Sequence, residues 1–344
     1  MMAAGMVLNF TGCSDKNKLS DTKIVLTTGL EKDEVFRIEK TSCHLPEVMV
    51  YLTNMQNRYE NTFGDRIWEA SYEGVSLEDN LKETVLARIA QIKTMNLMAQ
   101  EQNITLTEAE TKRAESAGTK YYNSLTAIER ETLQVDEPLL QQMYLEYALA
   151  NKVYQNLIAD INPEISDDEA RTITVQQILI RTYYMNNKGE KVEYDEKVKK
   201  ELYQKAQEAY EKATEGTDFS TLISQYSDDE TGTYSFGKGM YDPAFEKAAF
   251  DLGTDEISNI VETPYGYHII KCISTFNKEE TDVNKQKIVE QRRKEVFNQQ
   301  YSEFVSGLTR NLNEELWSQV TFVQNGQITT STFFDIFQEM FSDS

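Results

Sequence analysis

Apolar residues in the first half of the chain recur at helical spacing. Leu81, Val85, Ile89 and Ile92 fall on one side of a helix, which predicts that this side is buried. Ser76 with Asp79, and Thr107 with Glu110, stand three apart just before apolar runs, the spacing of capping pairs at helix starts. Pro46 suits the opening turn of an earlier helix. Ahead of it EVFRIEK (34–40) alternates like a short strand. Between Leu77 and Asp160 the breakers are Gly118 and Pro138 alone, so a helical bundle is expected there rather than a sheet.

The pattern changes near Asn162-Pro163-Glu164. TITVQQILI (172–180) is a β-branched run of strand type. A charged stretch (195–216) then reads as a helix ending at Gly216, with Leu202, Ala206, Ala209 and Ala213 as its narrow inner stripe. After Ser274 helical spacing returns. Phe297, Tyr301, Phe304, Leu308 and Leu312 predict one face of a helix starting at about Asp282. TFVQNGQITT carries a hairpin signal at Asn325-Gly326, and FFDIFQEMF (333–341) reads as an apolar terminal helix. The simplest arrangement folds the C-terminal helix back onto the N-terminal ones.

Charge narrows the functional classes. The 344 residues carry a net charge of −22, with no basic stripe to displace counterions from nucleic acid. The same charge disfavours electrostatic docking on anionic lipid. Three cysteines without a CxxC spacing, and two histidines in different regions, form no recognisable metal set. The start, MMAAGMVLNFTGC, is apolar but too short to span a bilayer. It resembles the end of a bacterial lipoprotein signal, with Phe10-Thr11-Gly12-Cys13 as the lipobox. That resemblance implies lipidation at Cys13 and a membrane anchor. Residue 10 is Phe where such signals usually have Leu, and no Lys or Arg precedes the apolar run.

VQQILI (175–180), DFSTLISQYSDD (218–229) and FGKGMYDPAFEKAAFDLGTDEISNIVETPYGYHIIK (236–271) together resemble a parvulin-type peptidyl-prolyl isomerase domain. Placed between helical segments and behind a lipobox, such a domain resembles the PrsA/SurA class of extracytoplasmic foldases. The resemblance implies a four-stranded antiparallel sheet wrapped by helices, with a shallow apolar pocket for proline beside a small polar cluster. It implies no metal and no cofactor.

Residue by residue, the resemblance puts His268 at one of the family's two core histidines and Asp229 at a position that is Cys or Asp. Gln177 stands where the family has its first histidine. An amide donates and accepts hydrogen bonds but neither titrates nor exchanges tautomers. Phe245 matches the aromatic floor of the proline pocket. Tyr241 takes the place of a pocket Met, with Met240 one residue earlier, and Phe236 aligns with a substrate-binding aromatic. Before Phe236 the segment ETGTYS (230–235) is shorter than the family's Gly-rich loop and lacks its Leu, an apolar wall of the pocket. By its own chemistry Ser227-Asp228-Asp229-Glu230 also reads as a solvated acidic turn, and His268 as a buried hydrogen-bonding residue. Tyr183-Tyr184 suits either a strand end or a grip on clients. Tyr51, Tyr59, Trp68, Tyr121, Tyr122 and Tyr144 suit either a bundle core or a client cradle.

The expected architecture is α+β: a signal remnant (1–13), a tether (14–33), an N-terminal helical chaperone region (34–165), a parvulin-type domain (170–276) and a C-terminal helical region (280–344) packing on the N-terminal one. The expected function is an extracytoplasmic, lipid-anchored folding factor. It would bind unfolded secreted polypeptides and isomerise their Xaa-Pro bonds. Gln177 and the short loop motivate a second reading, a non-catalytic holdase.

Overall fold

The computed structural model describes residues 29–72, 74–229 and 231–342. Cys13 and most of the expected tether lie outside them. In chain order, β1 (Glu34–Ile38) and β2 (Thr41–His44) lead into helix α1 (Leu45–Phe63). A short ladder of β3 (Ser71–Tyr72) and β4 (Val75–Ser76) precedes α2 (Leu77–Gln102), α3 (Glu108–Ser124), α4 (Ala127–Leu133) and α5 (Glu137–Leu157). Then come α6 (Asp167–Ala170), β5 (Thr172–Arg181), β6 (Tyr183–Met185), β7 (Lys191–Glu193), α7 (Glu196–Thr214) and α8 (Phe219–Tyr226). These are followed by β8 (Thr233–Gly237), α9 (Pro243–Phe250), β9 (Val261–Thr263) and β10 (Gly266–Ser274). The chain continues through α10 (Lys278–Ser306), β11 (Arg310–Leu312), α11 (Glu314–Gln319) and α12 (Phe333–Phe341). No described helix is long and apolar enough to cross a membrane.

The chain forms two compact units, one from the described residues up to Asp160 with those from Val296 on, the other from Ile161–Glu295. In the first, the predicted caps form. Ser76 accepts from the Asp79 N–H at 3.0 Å, and Thr107 exchanges bonds with Glu110 in a capping box. The stripe Leu81, Val85, Ile89 and Ile92 is buried. Gly118 lets α3 meet α5 backbone to backbone: a Cβ there would stand 2.5 Å from the Gln141 Cα. A buried Lys93 ammonium joins α2 to Glu47 of α1 at 2.6 Å and Glu146 of α5 at 2.7 Å. Burial opposes its charge, and the two carboxylates outweigh that, so its proton is held above the ordinary lysine range.

Two sequence expectations fail here. Helix α10 stops at Ser306, so Leu308 and Leu312 do not continue its face. Leu312 lies instead in β11, opposite Phe36, on the edge of β1 in a sheet of order β11-β1-β2. Beyond Gly307 the backbone finds its partners on the open edge of β1, where the Glu39 N–H donates to the Thr309 carbonyl at 3.0 Å and the Asn313 N–H to the Val35 carbonyl at 2.8 Å. The Asn325-Gly326 hairpin is also absent. A turn forms there, with the Gln327 N–H bonded to the Asn325 side chain at 3.1 Å, but its flanks pair with helix side chains rather than with each other. The cradle aromatics Tyr51, Tyr121 and Tyr144 are buried against Phe333 of α12, the Tyr144 and Phe333 rings stacked at 4.3 Å.

The second unit is built on an antiparallel sheet of order β8-β5-β10-β9. Alternation along β5 sorts its side chains. Ile178 and Ile180, with Tyr267 and Ile269 of β10, pack on Ala206, Ala209 and Ala213 of α7 and on α8. Ile173 and Val175 face the other way, onto Phe236, Phe245 and Ala249. Gly266 has φ +140°, and a Cβ there would lie 2.2 Å from the Ile180 carbonyl oxygen, so only glycine allows β10 to start beside β5. Cys43 and Cys272 are both buried and unpaired.

Gly118→Ala separates two effects of opposite sign. Helix propensity alone would stabilise α3 by roughly 1 kcal/mol. The clash with Gln141 should win and destabilise the helical unit by about 1–3 kcal/mol. A rise in its denaturant midpoint would show that α3 and α5 are not in backbone contact.

Candidate active site

Gln177, Leu179 and Arg181 continue the stripe begun by Ile173 and Val175, so they point to the α9 side of the sheet. Register puts Ile270 opposite Gln177 and Leu179 opposite His268. Gln177 and His268 are therefore diagonal neighbours on one face. Thr263, opposite Gly266, is the diagonal neighbour of His268 on its other side. The three side chains join. The Thr263 hydroxyl lies 2.8 Å from His268 Nε2, and His268 Nδ1 lies 2.9 Å from Gln177 Oε1. Gln177 Nε2 donates to Asp229 Oδ2 at 2.7 Å, and the Tyr234 hydroxyl donates to the same carboxylate at 2.6 Å.

The chain has one polarity. Asp229 only accepts, so the Gln177 amide nitrogen must face it and the amide oxygen must face His268. That makes Nδ1 the protonated ring nitrogen and leaves Nε2 to accept from Thr263. Asp229 is held by its own turn: Ser227 Oγ accepts from the Asp229 N–H at 3.1 Å and from the Leu179 N–H at 3.1 Å, and the Asp228 N–H donates to the Leu179 carbonyl at 2.7 Å. The acidic run is thus docked on the edge of β5, with Asp229 half-buried and Asp228 exposed.

Above the polar chain lies a cleft of about 530 Å³. Its walls are Gln177, Leu179, Arg181 and Tyr183 on one side and Met240, Tyr241, Asp242 and Phe245 on another. Thr263, Pro264, Tyr265 and His268 complete it. Phe245 meets His268 edge-on at 5.2 Å and Tyr241 at 5.6 Å. The Gly239, Met240 and Tyr241 N–H groups all donate to the Glu246 carboxylate at 2.9, 2.6 and 2.8 Å, which pins the loop that carries the two wall residues. Opposite, Lys191 of β7 donates to the Pro264 carbonyl at 2.6 Å and sits over the Tyr183 ring at 4.5 Å. Among the described residues, the three potential metal ligands that lie close together are Glu31, Asp33 and His44, in the other unit.

Residues 183–274 match the family model described as "Rotamase: PPIC-type PPIASE domain". The chain carries a PPIC-type peptidyl-prolyl isomerase domain. It is 30% identical to the Foldase protein PrsA of Caldanaerobacter subterraneus over 61% of this chain and 62% of that one, just under two thirds of the relative's length. It is 25% identical to the Foldase protein PrsA of Clostridium acetobutylicum over 74% of this chain and 80% of that one. A crystal structure of Peptidylprolyl Isomerase (PrsA) from Bacillus cereus aligns with 79% of this chain and 97% of that one, at 22% identity and a TM-score of 0.36.

Asp229 and His268 of the matched stretch converge with Gln177, which lies just ahead of it on β5, and Phe245, Tyr241 and Met240 line the cleft. Phe236 does not. It lies on the cleft's side of the sheet, opposite Ile173, but Tyr241 at 4.6 Å and Phe245 at 5.8 Å cover its ring, which is buried in the core and does not reach the cleft wall. Thr263 and Tyr234 were not foreseen. For Thr263 a signal existed: Pro264-Tyr265-Gly266 marks a tight turn that places it beside the strand carrying His268. Tyr234 comes from the shortened segment 230–235, and no local pattern tells that its hydroxyl reaches Asp229.

Burial pushes the His268 imidazole down to about 4, against the pull of Asp242 and Asp229. The unfolded ring titrates near pH ~6.5. Stability from burying the neutral ring is therefore complete above about pH 6.5 and lost as pH falls through about 4, on the order of 3 kcal/mol in all. In an NMR titration of His44→Gln, which leaves a single imidazole, His268 should stay neutral and Nδ1-protonated down to about pH 5. A midpoint near 6.5, or an Nε2–H tautomer, would contradict the hydrogen-bond order.

Proposed function

We propose that this chain is an extracytoplasmic foldase that binds unfolded secreted polypeptides and catalyses cis–trans isomerisation of their Xaa-Pro bonds. The observation that carries the reading is an apolar cleft floored by Phe245 and set directly over an uncharged, fully bonded His268–Gln177 pair. The names of the relatives support it. Rotation about the prolyl bond must cross a barrier of about 20 kcal/mol because it sacrifices amide resonance. The planar amide is the more dipolar form and is better solvated by water. A site that replaces water by the Phe245, Tyr241 and Met240 side chains favours the twisted amide over both planar isomers. The groups beneath the ring are neutral and bonded to one another, so they present the turning carbonyl with no charge that would trap either end state. No proton needs to be transferred, so the replacement of a histidine by Gln177 preserves the polar support and removes only a titration. Lipidation at Cys13 would hold the foldase at the outer face of the cell membrane.

The test is refolding of a substrate protein limited by proline isomerisation. Catalytic amounts of the full chain should accelerate it. Phe245→Ala and Asp229→Ala should each lose about tenfold or more, equivalent to at least ~1.4 kcal/mol of barrier. Suppressed aggregation without acceleration would replace this reading by that of a holdase. For the anchor, Cys13→Ala should move the protein from the membrane to the soluble fraction; unchanged sedimentation would reject lipidation there.

A further inference from the structure

The wall of the prolyl cleft carries a cation that the fold does not use. Arg181 ends the β5 stripe that begins with Ile173 and runs through Gln177 and Leu179. Its cross-strand partner is Gly266, which has no side chain to cover it. Asp228 Oδ2 accepts from the Arg181 N–H at 2.8 Å, so the backbone is anchored while the side chain stays exposed. Acidic residues outnumber basic ones 57 to 35, yet among the described residues none pairs with this guanidinium.

The other charges around it are already engaged. Asp242, the acidic residue of the cleft wall, accepts from the Ala244 N–H at 2.9 Å and caps α9. Asp229 lies below, bonded to Gln177 and Tyr234. Lys191 adds a second positive charge at the rim. Its ammonium donates to the Pro264 carbonyl and rests over the Tyr183 and Tyr265 rings at 4.5 and 5.5 Å, all three of them residues of the cleft wall. On the same hairpin Glu193 is paired with Lys199 at 3.0 Å, and Glu190 accepts from Asn186 at 2.8 Å. The result is a place for one negative charge beside the proline's seat. A guanidinium presents paired N–H donors that match a carboxylate. The cleft holds about 530 Å³, so groups on its wall meet the proline and its immediate neighbours.

We propose that Arg181 is a specificity residue of this cleft and that preferred clients carry Asp or Glu beside the proline. The inference rests on the isomerase reading of the same cleft. Arg181 grips the side chain of the neighbouring residue and takes no part in the rotation, which proceeds over Phe245, His268 and Gln177. The long-range field of a chain with net charge −22 opposes an acidic client, so the preference arises from local contact.

The test uses the full chain and two peptide series, with Glu, Gln or Lys immediately before or immediately after a single proline. Cis–trans exchange followed by NMR gives kcat/KM for each peptide. At one position at least, Glu should exceed Lys by about fivefold or more, with Gln between them. Arg181→Gln should bring that ratio below about twofold, Arg181→Lys should keep most of it, and Arg181→Glu should invert it, whatever each does to the absolute rate. At about 1 M salt, where the screening length falls to about 3 Å, the preference of the native chain should shrink. Equal rates for Glu and Lys at both positions, or a Glu preference that survives in Arg181→Glu, would overturn the proposal. A preference unchanged by salt would mark it as packing rather than charge and overturn it too. If no peptide is turned over, the isomerase reading fails, and the same Glu-to-Lys ratio taken from dissociation constants decides this one.

Discussion

The candidate site depends on one constraint, a carboxamide buried in a strand face that is otherwise apolar. Gln177 is 7% exposed and follows Ile173 and Val175 along the same side of β5. An amide there has a donor end and an acceptor end, and each left unsatisfied costs about 1–3 kcal/mol. The surrounding structure is arranged to meet both. The Ser227–Asp229 turn closes on the strand edge and offers a carboxylate to the donor end. The β9–β10 hairpin swings His268 beneath the acceptor end, and Thr263 completes the row. Because a carboxylate can only accept, every hydrogen bond in the row takes its direction from Asp229. The amide does not titrate, and burial keeps the imidazole beside it neutral.

The fold was legible in the sequence wherever burial follows a local period. The stripe Leu81, Val85, Ile89 and Ile92 and the alanines of α7 are buried as their spacing implies, because a helix sorts its faces without reference to distant residues. Legibility ended where partners came from far along the chain. Leu308 and Leu312 continue the spacing of Phe297, yet β1 offers an edge some 270 positions away, and Leu312 goes there. Asn325-Gly326 makes its turn, but α1 and α4 supply the hydrogen bonds a hairpin would have supplied. In the site, Gln177, Asp229 and His268 stood out because their motifs are contiguous. Phe236 lies on the same face of the sheet but under Tyr241 and Phe245, and no pattern within β8 tells that residues further along the chain cover it.

Both units break a buried apolar surface with amides, but they direct those amides at different things. On β5 the amide faces other side chains, and the product is a fixed row of neutral groups under a hydrophobic cleft. That geometry suits a rigid ring with a single rotating bond. On α1 the amides face main chain, and the product is a C-terminal segment tied down through its backbone. The energetic demands differ as well. The prolyl cleft is lined by exposed Met240 and Tyr241 and leaves no polar group stranded when empty. Asn54 on α1 is buried completely with its partner Phe333 in place, so its bonds act as ordinary core contacts of the helical unit.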